Sequence, residues 1–389
     1  MSQSPKEKFA HVKELRDREL AERPVARSLD FVPVAYDLIG NEWLSAILCK
    51  DTPGAQVIEH SLDVPSEGTS NRRRIFVKYN DAGNKAGLPP SVFCKATQAI
   101  ESRLVLGMCG CSDAEPNFYK RIRPTLDIEA PQALFAHSNP ESLNSIIVMK
   151  DLQGEVEFCD QNTDISLERA KSQMRVLARY HGVHYQGKTR HDLLDVFLTY
   201  ENFCDTLEAA IIWSESCRRG FIAGEEFIPP RLFKRAAEIW PATEKAWNLH
   251  AKLPRTLVHG DVHLKNWYVR PDNQMGLMDW QCCVRGHWSR DLVYVITTSL
   301  TVENRRAWER ELIEYYLDQL AANGVPQISL DRAMQLYRTQ LFPTLAFWTG
   351  TLTPAPGAPA MQPPETSIKF INRITHAMDD LDALGVAFE

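Results

Sequence analysis

The chain has 389 residues, of which 44% are hydrophobic and 24% are charged, a composition typical of a globular protein with about two or three domains. Its formal net charge is −6 and its acidic and basic residues are mixed along the chain, which argues against binding to nucleic acid through the phosphates. The N-terminal stretch has no apolar region and no apolar run approaches the ~20 residues of a membrane span. We therefore expect a cytoplasmic protein without a secretory signal and without membrane contact.

The nine cysteines are scattered along the chain and show neither a CxxC pair nor a spacing typical of zinc sites. Cys109 and Cys111 form a CxC sequence, and Cys282 and Cys283 are adjacent. We expect reduced thiols with no role in metal binding or in disulfides.

The first part of the chain predicts a helical start followed by a small antiparallel sheet. Apolar residues recur at helical spacing over 36–48, with Asn41 as a candidate N-cap. A turn rich in Gly, Ser and Thr at 65–71 and a loop at 81–90 separate runs typical of strands, and helical texture returns over 98–122. The predicted strands are 56–64, 72–80, 91–97 and 145–152.

The second part predicts mainly helices. The first covers 166–185, where Ser166 is a candidate N-cap before an apolar face. A Pro-rich loop over 353–364 precedes a final amphipathic helix over 365–384. The other predicted helices are 191–219, 230–251, 288–301, 304–323 and 330–350.

The stretch 258–269, VHGDVHLKNWYV, has the apolar ends of a strand but a dense polar centre. It is joined by a turn to a second short strand, predicted within 275–281. Asp261 and Asn266 are five residues apart, and Asp279 follows thirteen residues later. A carboxylate can orient a hydroxyl and accept its proton, and hard oxygen ligands hold Mg²⁺. Because a kinase catalytic loop has the same spacing from acid to amide, these residues favour phosphoryl transfer.

HGDVHLKN followed by MDWQ resembles the aminoglycoside phosphotransferase and choline kinase superfamily. FCKAT, EPNFYKRIRP, IIVMKDL and SRDLVY, in this order, make the chain most similar to its ecdysteroid kinase-like branch. The resemblance implies an α+β, two-lobed protein-kinase-like fold with a small antiparallel-sheet N-lobe and a larger, mainly helical C-lobe. We expect a nucleotide-binding lobe with a helical extension over 1–152 and a catalytic and substrate lobe over 153–389.

The resemblance implies an ATP-dependent phosphotransferase that acts on a hydroxyl of a small molecule. Asp261 is then the catalytic base, and Asn266 and Asp279 are ligands of Mg²⁺. His263 stands where protein kinases carry lysine, and it either contacts the transferring phosphate or holds the loop. Asp291 is implied to brace the catalytic loop, with a helix N-cap of no wider role as an equal alternative.

The resemblance also implies nucleotide contacts in the N-lobe. Lys95 would contact the α- and β-phosphates and Glu115 would pair with it. Lys78 is the alternative lysine, and Pro116 leaves another partner open for Glu115. Two groups complete the implied contacts, the phosphate-covering turn of Gly68, Thr69 and Ser70, which lacks GxGxxG, and the adenine-facing connector of Met149, Lys150 and Leu152.

Other functions stay open from the sequence alone. His259, Asp261 and His263 would share one face of a strand and could ligate a transition metal in a metallohydrolase. A nucleotide-binding pseudokinase that serves as an interaction module is a second alternative. ATP or GTP preference and the oligomeric state are not predicted.

The acceptor is the least defined part of the prediction. A polycationic aminoglycoside needs a pocket rich in carboxylates. The helical lobe instead offers aromatic and apolar segments at 196–203, 210–215 and 341–354. These segments favour a largely apolar alcohol over an aminoglycoside, with 341–364 as a pocket wall or lid, unless the aromatic residues simply pack the core.

Overall fold

The structure is a computed structural model that describes residues 5–66, 68–187, 191–356 and 360–388. Residue 67 of the predicted turn and residues 357–359 of the predicted Pro-rich loop lie outside the described residues. Within the described ranges, no helix combines the length and apolarity needed to cross a membrane. The chain divides into two compact units, one of Met1–Thr125 and Pro131–Gln153 and one of Leu126–Ala130 and Gly154–Glu389.

The first unit contains a five-stranded antiparallel sheet in the order β1-β2-β3-β5-β4. Its strands are β1 Val57–Leu62, β2 Asn71–Tyr79, β3 Ser91–Ala96, β4 Ala133–Asn139 and β5 Asn144–Lys150. Its helices are α1 Pro5–Glu22, α2 Asn41–Leu48, α3 Asp81–Lys85, α4 Ile100–Met108 and α5 Ala114–Asn117. The sequence did not predict β4, because nearly all its residues are half-buried and so show no apolar alternation.

The two faces of this sheet differ in chemistry, as is usual when one face of an antiparallel sheet packs on a core. One face packs against α2 around the fully buried Trp43. The other face carries Lys95 on β3, and Arg72 on β2 lies directly opposite it in the ladder. Apolar residues of the packed face include Ile75, Val77, Val92, Cys94, Ala96, Ile146 and Val148.

Three local predictions for this unit were wrong. Asn41 is the first residue of α2 and not its cap, since its side chain donates to the carbonyl of Ile58 instead. The loop 81–90 contains α3, because the Asn80 side chain caps it by accepting from the N–H of Gly83. The predicted helix 98–122 is interrupted between α4 and α5, where Gly110 has a φ of +70°.

The second unit is mainly helical. Its helices are α6 Leu167–His184, α7 His191–Leu194, α8 Tyr200–Ile211, α9 Trp213–Ala223, α10 Pro230–Phe233, α11 Ala236–His250, α12 Ser289–Ser299, α13 Val302–Ala322, α14 Leu330–Leu352, α15 Pro364–Asp380 and α16 Ala383–Val386. Its short strands are β6 Glu157–Phe158, β7 Thr256–Val258, β8 Trp267–Val269, β9 Met275–Leu277 and β10 Val284–Gly286. The predicted α+β class, with a small antiparallel sheet and many helices, is confirmed.

Helix α12 is the centre of the second unit, and all 11 of its residues are buried. It packs against α6, α14 and α15. The predicted N-cap of α6 is confirmed, because the Ser166 side chain accepts from the N–H of Arg169. The predicted helix 191–219 is divided, since the backbone at Ile212 is left-handed with a φ of +49°.

Candidate active site

The polar run after Val258 is a loop and not a continuous strand, since β7 ends at this residue and β8 begins only at Trp267. Gly260 has a φ of +82°, a conformation that favours glycine. A Cβ atom at this position would lie 2.5 Å from the carbonyl oxygen of Cys282. The glycine is therefore required for the loop to pass close to the segment that follows β9.

The buried carboxylate of Asp291, in the first turn of α12, holds this loop from behind. It accepts from the backbone N–H groups of His259 and Gly260 at 2.8 and 3.0 Å. It also accepts from the hydroxyl of Tyr180 at 2.6 Å and lies 3.2 Å from Nε2 of His181, both on α6. Burial would raise the pKa of Asp291, but the hydrogen bonds from His181 and Tyr180 outweigh it and the pKa is lowered.

His259 connects the loop of Asp261 to the segment that precedes Asp279. Its Nε2 lies 3.0 Å from the carbonyl oxygen of Met278, which can only accept, so this nitrogen carries the proton. Its Nδ1 accepts from the backbone N–H of Asp261 at 3.2 Å. Burial lowers the pKa of His259, consistent with a neutral ring.

Both ring nitrogens of His259 are thus used within the protein, and neither offers a lone pair to a metal ion. His259, Asp261 and His263 also do not alternate along a strand, as the metallohydrolase alternative requires. In the described part of the chain, no group of three or more His, Cys, Asp or Glu residues is arranged to hold a metal ion. The geometry contradicts the HxDxH alternative.

The Asp261 carboxylate is partly exposed and has a different contact at each oxygen. Its side chain is 22% exposed. Oδ1 accepts from the hydroxyl of Tyr294 at 2.9 Å. Oδ2 lies 3.4 Å from Nδ2 of Asn266 and 3.5 Å from Nε2 of His263. Burial would raise the pKa of Asp261, but His263 and the Tyr294 hydrogen bond help to lower it below its usual range, so the group is an anion.

Asn266 and Asp279 are brought together by the backbone. The N–H of Met278 donates to the carbonyl of Asn266 at 2.9 Å, which places Asp279 one residue beyond this contact. Nδ2 of Asn266 donates to the carbonyl of Asp261 at 2.7 Å, so the amide oxygen is left as the side-chain atom that can meet a cation. Asp279 has a left-handed φ of +64° that redirects the chain after β9. An amide oxygen and a carboxylate suit Mg²⁺.

In the first unit, Lys95 and Glu115 form a buried pair, with Nζ and Oε2 2.7 Å apart and side chains 8% and 5% exposed. Pro116 lies in the first turn of α5, where proline is tolerated, so it does not prevent this pairing. Lys78, the alternative lysine, pairs with Glu59 at the surface, where both side chains are more than 60% exposed. The structure therefore brings together the first choice of lysine with its predicted acid.

The predicted phosphate-covering turn lies at the start of β2. The backbones of Ser66 and Arg72 exchange two hydrogen bonds across it. A Cβ atom at Gly68 would lie 2.9 Å from Nη2 of Arg72, so the guanidinium covers Gly68, while Ser70 is buried. Thr69 follows Gly68 in a bend of this turn. The sequence analysis did not identify Arg72 as a candidate for phosphate contact. Its position opposite Lys95 in the β-ladder makes it one.

The predicted adenine connector begins with the last two residues of β5, Met149 and Lys150, and continues to Leu152. The side chain of Met149 is buried, and the N–H of Lys150 donates to the carbonyl of Gln132 at 2.9 Å. Because this N–H is already hydrogen-bonded within the protein, the predicted backbone contact of Lys150 with adenine would have to use the carbonyl. Leu152 is half-buried. Between them, Asp151 accepts from Arg74, Ser91 and the N–H of Gln153, contacts that fix the connector and that the sequence did not suggest.

A comparison with protein families matches residues 69–324, more than half of the chain, to the ecdysteroid kinase-like family. The chain belongs to this family. The matched range contains Lys95, Glu115, the catalytic loop and Asp279. Family membership makes the chain a small-molecule phosphotransferase that acts on a hydroxyl group, as predicted. A comparison with curated protein sequences gave no match.

Three solved structures that are similar to the chain are as follows. A candidate aminoglycoside phosphotransferase from Ralstonia eutropha has a TM-score of 0.51 and 13% identity, covering 87% of this chain and 97% of that chain. An ethanolamine kinase from Plasmodium vivax has a TM-score of 0.45 and 9% identity, covering 84% and 83%. A choline kinase from Streptococcus pneumoniae has a TM-score of 0.47 and 12% identity, covering 85% and 94%. The first likeness confirms the predicted fold class.

We predict that Asp291→Asn lowers the free energy of unfolding of this family member by about 3 kcal/mol. The substitution removes the charged acceptor of two buried backbone N–H groups and turns a new donor towards them. Urea unfolding at pH 7 measures the change. Asp272→Asn, at a side chain that is 52% exposed, is the matched control and should change the value by no more than about 0.5 kcal/mol. Equal stability of the two variants would contradict the bracing role.

Proposed function

We propose that this ecdysteroid kinase-like protein transfers the γ-phosphoryl group of ATP to the hydroxyl of a small, largely apolar alcohol. The observation that carries the proposal is the Asp261 carboxylate, an anion held at one oxygen by Tyr294. Asn266 is fixed beside it by a hydrogen bond to the Asp261 carbonyl. This arrangement can orient a hydroxyl and accept its proton.

We propose charged and polar side chains as the contacts of the nucleotide. Lys95, aimed by Glu115, would contact the phosphates, and Arg72 adds a second cation on the same face of the sheet. Asn266 and Asp279 would hold Mg²⁺ through oxygen atoms. When bound, this ion offsets negative charge on the phosphates. The protein contributes mainly positioning and electrostatic stabilisation.

The proposed acceptor class rests on the aromatic rings beside the catalytic loop. The His263 ring lies 5.3 Å from that of Trp348 and 6.1 Å from that of Phe370, and these two rings are 4.5 Å apart. Lys265 donates to the Gln362 side chain at 2.8 Å, which ties the segment after α14 to the loop. These buried rings make the surroundings of His263, two residues after Asp261, apolar, which favours an apolar alcohol as the acceptor.

Most of the predicted acceptor segment packs the core. Leu341 and Phe342 are fully buried, so these two residues have a structural role and give no information about the acceptor. Trp348 and Phe370 are also buried but adjoin the loop directly. They lie outside the range matched to the family, 69–324, on the C-terminal helices α14 and α15.

The carboxylates of α15 do not favour a polycationic acceptor. Asp379 pairs with Arg231 at 2.8 Å. Asp380 pairs with both Arg305 and Arg306. Because arginines already neutralise these acids, they are not a cluster that could pair with the ammonium groups of an aminoglycoside.

We predict that Asp261→Asn lowers the rate of phosphoryl transfer by at least ~10²-fold, the scale of a general-base contribution. Affinity for Mg-ATP should stay within about threefold, because Asp261 faces the acceptor. ADP release and calorimetry measure the two quantities, with Asp272→Asn as the surface control. A near-normal rate in Asp261→Asn rejects the proposed mechanism. Turnover by the native protein distinguishes a kinase from a pseudokinase, which would turn over in neither form.

We predict that Asp279→Asn weakens binding of Mg-ATP by about tenfold or more, since a charged ligand of a divalent ion becomes neutral. Asparagine tolerates the left-handed backbone at this position, so the fold should be kept. Calorimetry with Mg-ATP and with ATP plus a chelator separates the metal from the nucleotide. If the variant loses affinity equally under both conditions, Asp279 is not a metal ligand.

We predict that steroid, terpenoid or aryl alcohols are phosphorylated faster than kanamycin-type amines. The physical reason is the apolar packing of Trp348 and Phe370 around His263 and the pairing of the α15 acids with arginine. A coupled ADP-release screen measures turnover, and Asp261→Asn is the blank for uncoupled ATP hydrolysis. Robust turnover of the amines, with none of the apolar alcohols, would falsify the acceptor class but leave the phosphotransferase assignment intact.

A further inference from the structure

We propose that Tyr294 is a positioning residue that fixes the Asp261 carboxylate and assigns proton acceptance to its second oxygen. The inference rests on the proposed function of Asp261. Tyr294 lies on α12, five residues after the start of that helix and outside the catalytic loop. Its hydroxyl donates to Oδ1 of Asp261 at 2.9 Å, which is shorter than the approaches of Asn266 and His263 to the same carboxylate.

The tyrosine hydroxyl is a donor to this carboxylate and not a competing anion. Tyr294 is 1% exposed, and burial, together with the nearby charge of Asp261, raises its pKa well above the usual value. A neutral phenol beside a carboxylate forms a charge-assisted hydrogen bond, which is stronger than a neutral one. The contact therefore restricts rotation of the Asp261 side chain.

The ring of Tyr294 is itself held by two contacts. The guanidinium of Arg290 lies 4.4 Å from the ring centroid, and the ring of Trp348 stacks at 6.4 Å with an angle of 25°. Arg290 also donates to the carbonyl of Gly260 and to the hydroxyl of Thr344. One buried arginine thus holds both the tyrosine ring and the backbone that precedes Asp261.

The two oxygens of Asp261 consequently have different tasks. Oδ1 is occupied by the strong donor. Among the described residues, Oδ2 has only the longer approaches of 3.4 and 3.5 Å from Asn266 and His263. A hydroxyl that approaches Oδ2 meets the lone pairs of an oriented carboxylate and does not have to displace a short hydrogen bond. Tyr294 thereby lowers the cost of orienting the base in the transition state.

Tyr294→Phe tests this inference, because it removes only the hydroxyl and keeps the ring that contacts Arg290 and Trp348. We expect kcat to fall by about tenfold. The KM for Mg-ATP should change less than about twofold, and the unfolding midpoint should shift little. The assay follows ADP release from Mg-ATP, with water as the acceptor and then with the best alcohol of the screen.

Tyr268→Phe is the matched control. It also removes a fully buried hydroxyl that donates to a carboxylate, Glu129, at 2.7 Å. Glu129 has no proposed role in the reaction. This variant should show any general cost of losing such a bond, without the selective fall in kcat.

A double variant separates positioning from a purely structural role. If Tyr294 acts through Asp261, adding Tyr294→Phe to Asp261→Asn should cost less than about twofold in rate, although it costs about tenfold in the native protein. Equal losses in both backgrounds overturn the inference. An unchanged rate in Tyr294→Phe, while Asp261→Asn is impaired, overturns it as well. An active Asp261→Asn variant instead rejects the underlying function.

Discussion

The site depends first on one buried ionised carboxylate, that of Asp291. Removing such a group from water costs several kcal/mol unless donors replace its hydration. Four do so here, two backbone N–H groups of the catalytic loop and the side chains of Tyr180 and His181. Because those donors come from the loop and from α6, the carboxylate that α12 carries ties three segments to one point. These contacts hold the loop in place, although its polar residues between β7 and β8 are not part of a β-sheet.

Asp291 and Asp261, both in the second unit, differ in burial and in hydrogen bonding, and this difference suits one to a structural role and the other to a chemical role. Asp291 is fully buried, and its donors bond both of its oxygens. Asp261 is 22% exposed and has one short donor, from Tyr294. A carboxylate has about four lone-pair sites, and full burial with four donors leaves Asp291 out of reach of a further donor from a substrate. Asp261 can still accept such a donor at Oδ2, which is the property that a general base needs.

The first unit contains a buried cation, which also needs a partner to offset the loss of its hydration. Lys95 is 8% exposed, and a buried ammonium group needs a close acid, which Glu115 provides at 2.7 Å. Lys78 on the neighbouring strand β2 lies at the surface with Glu59, where such a pair contributes little. Both lysines follow apolar residues in strand-like runs, so the sequence could only favour Lys95 by its order before Glu115. In the structure the two lysines are distinguished by burial, since Lys95 is buried and Lys78 is exposed.

The sequence by itself determined the α+β class, the cap of α6 and the acid–amide–acid spacing of Asp261, Asn266 and Asp279, because periodicity, capping and motif spacing are local properties. Only the tertiary structure decided which oxygen of Asp261 is bound, since Tyr294 reaches it from a helix 33 residues away in the chain. It also decided against a metal role for His259. In both cases the deciding quantity is a contact between distant segments, set by the packing of α12 and β9, and no local pattern encodes it.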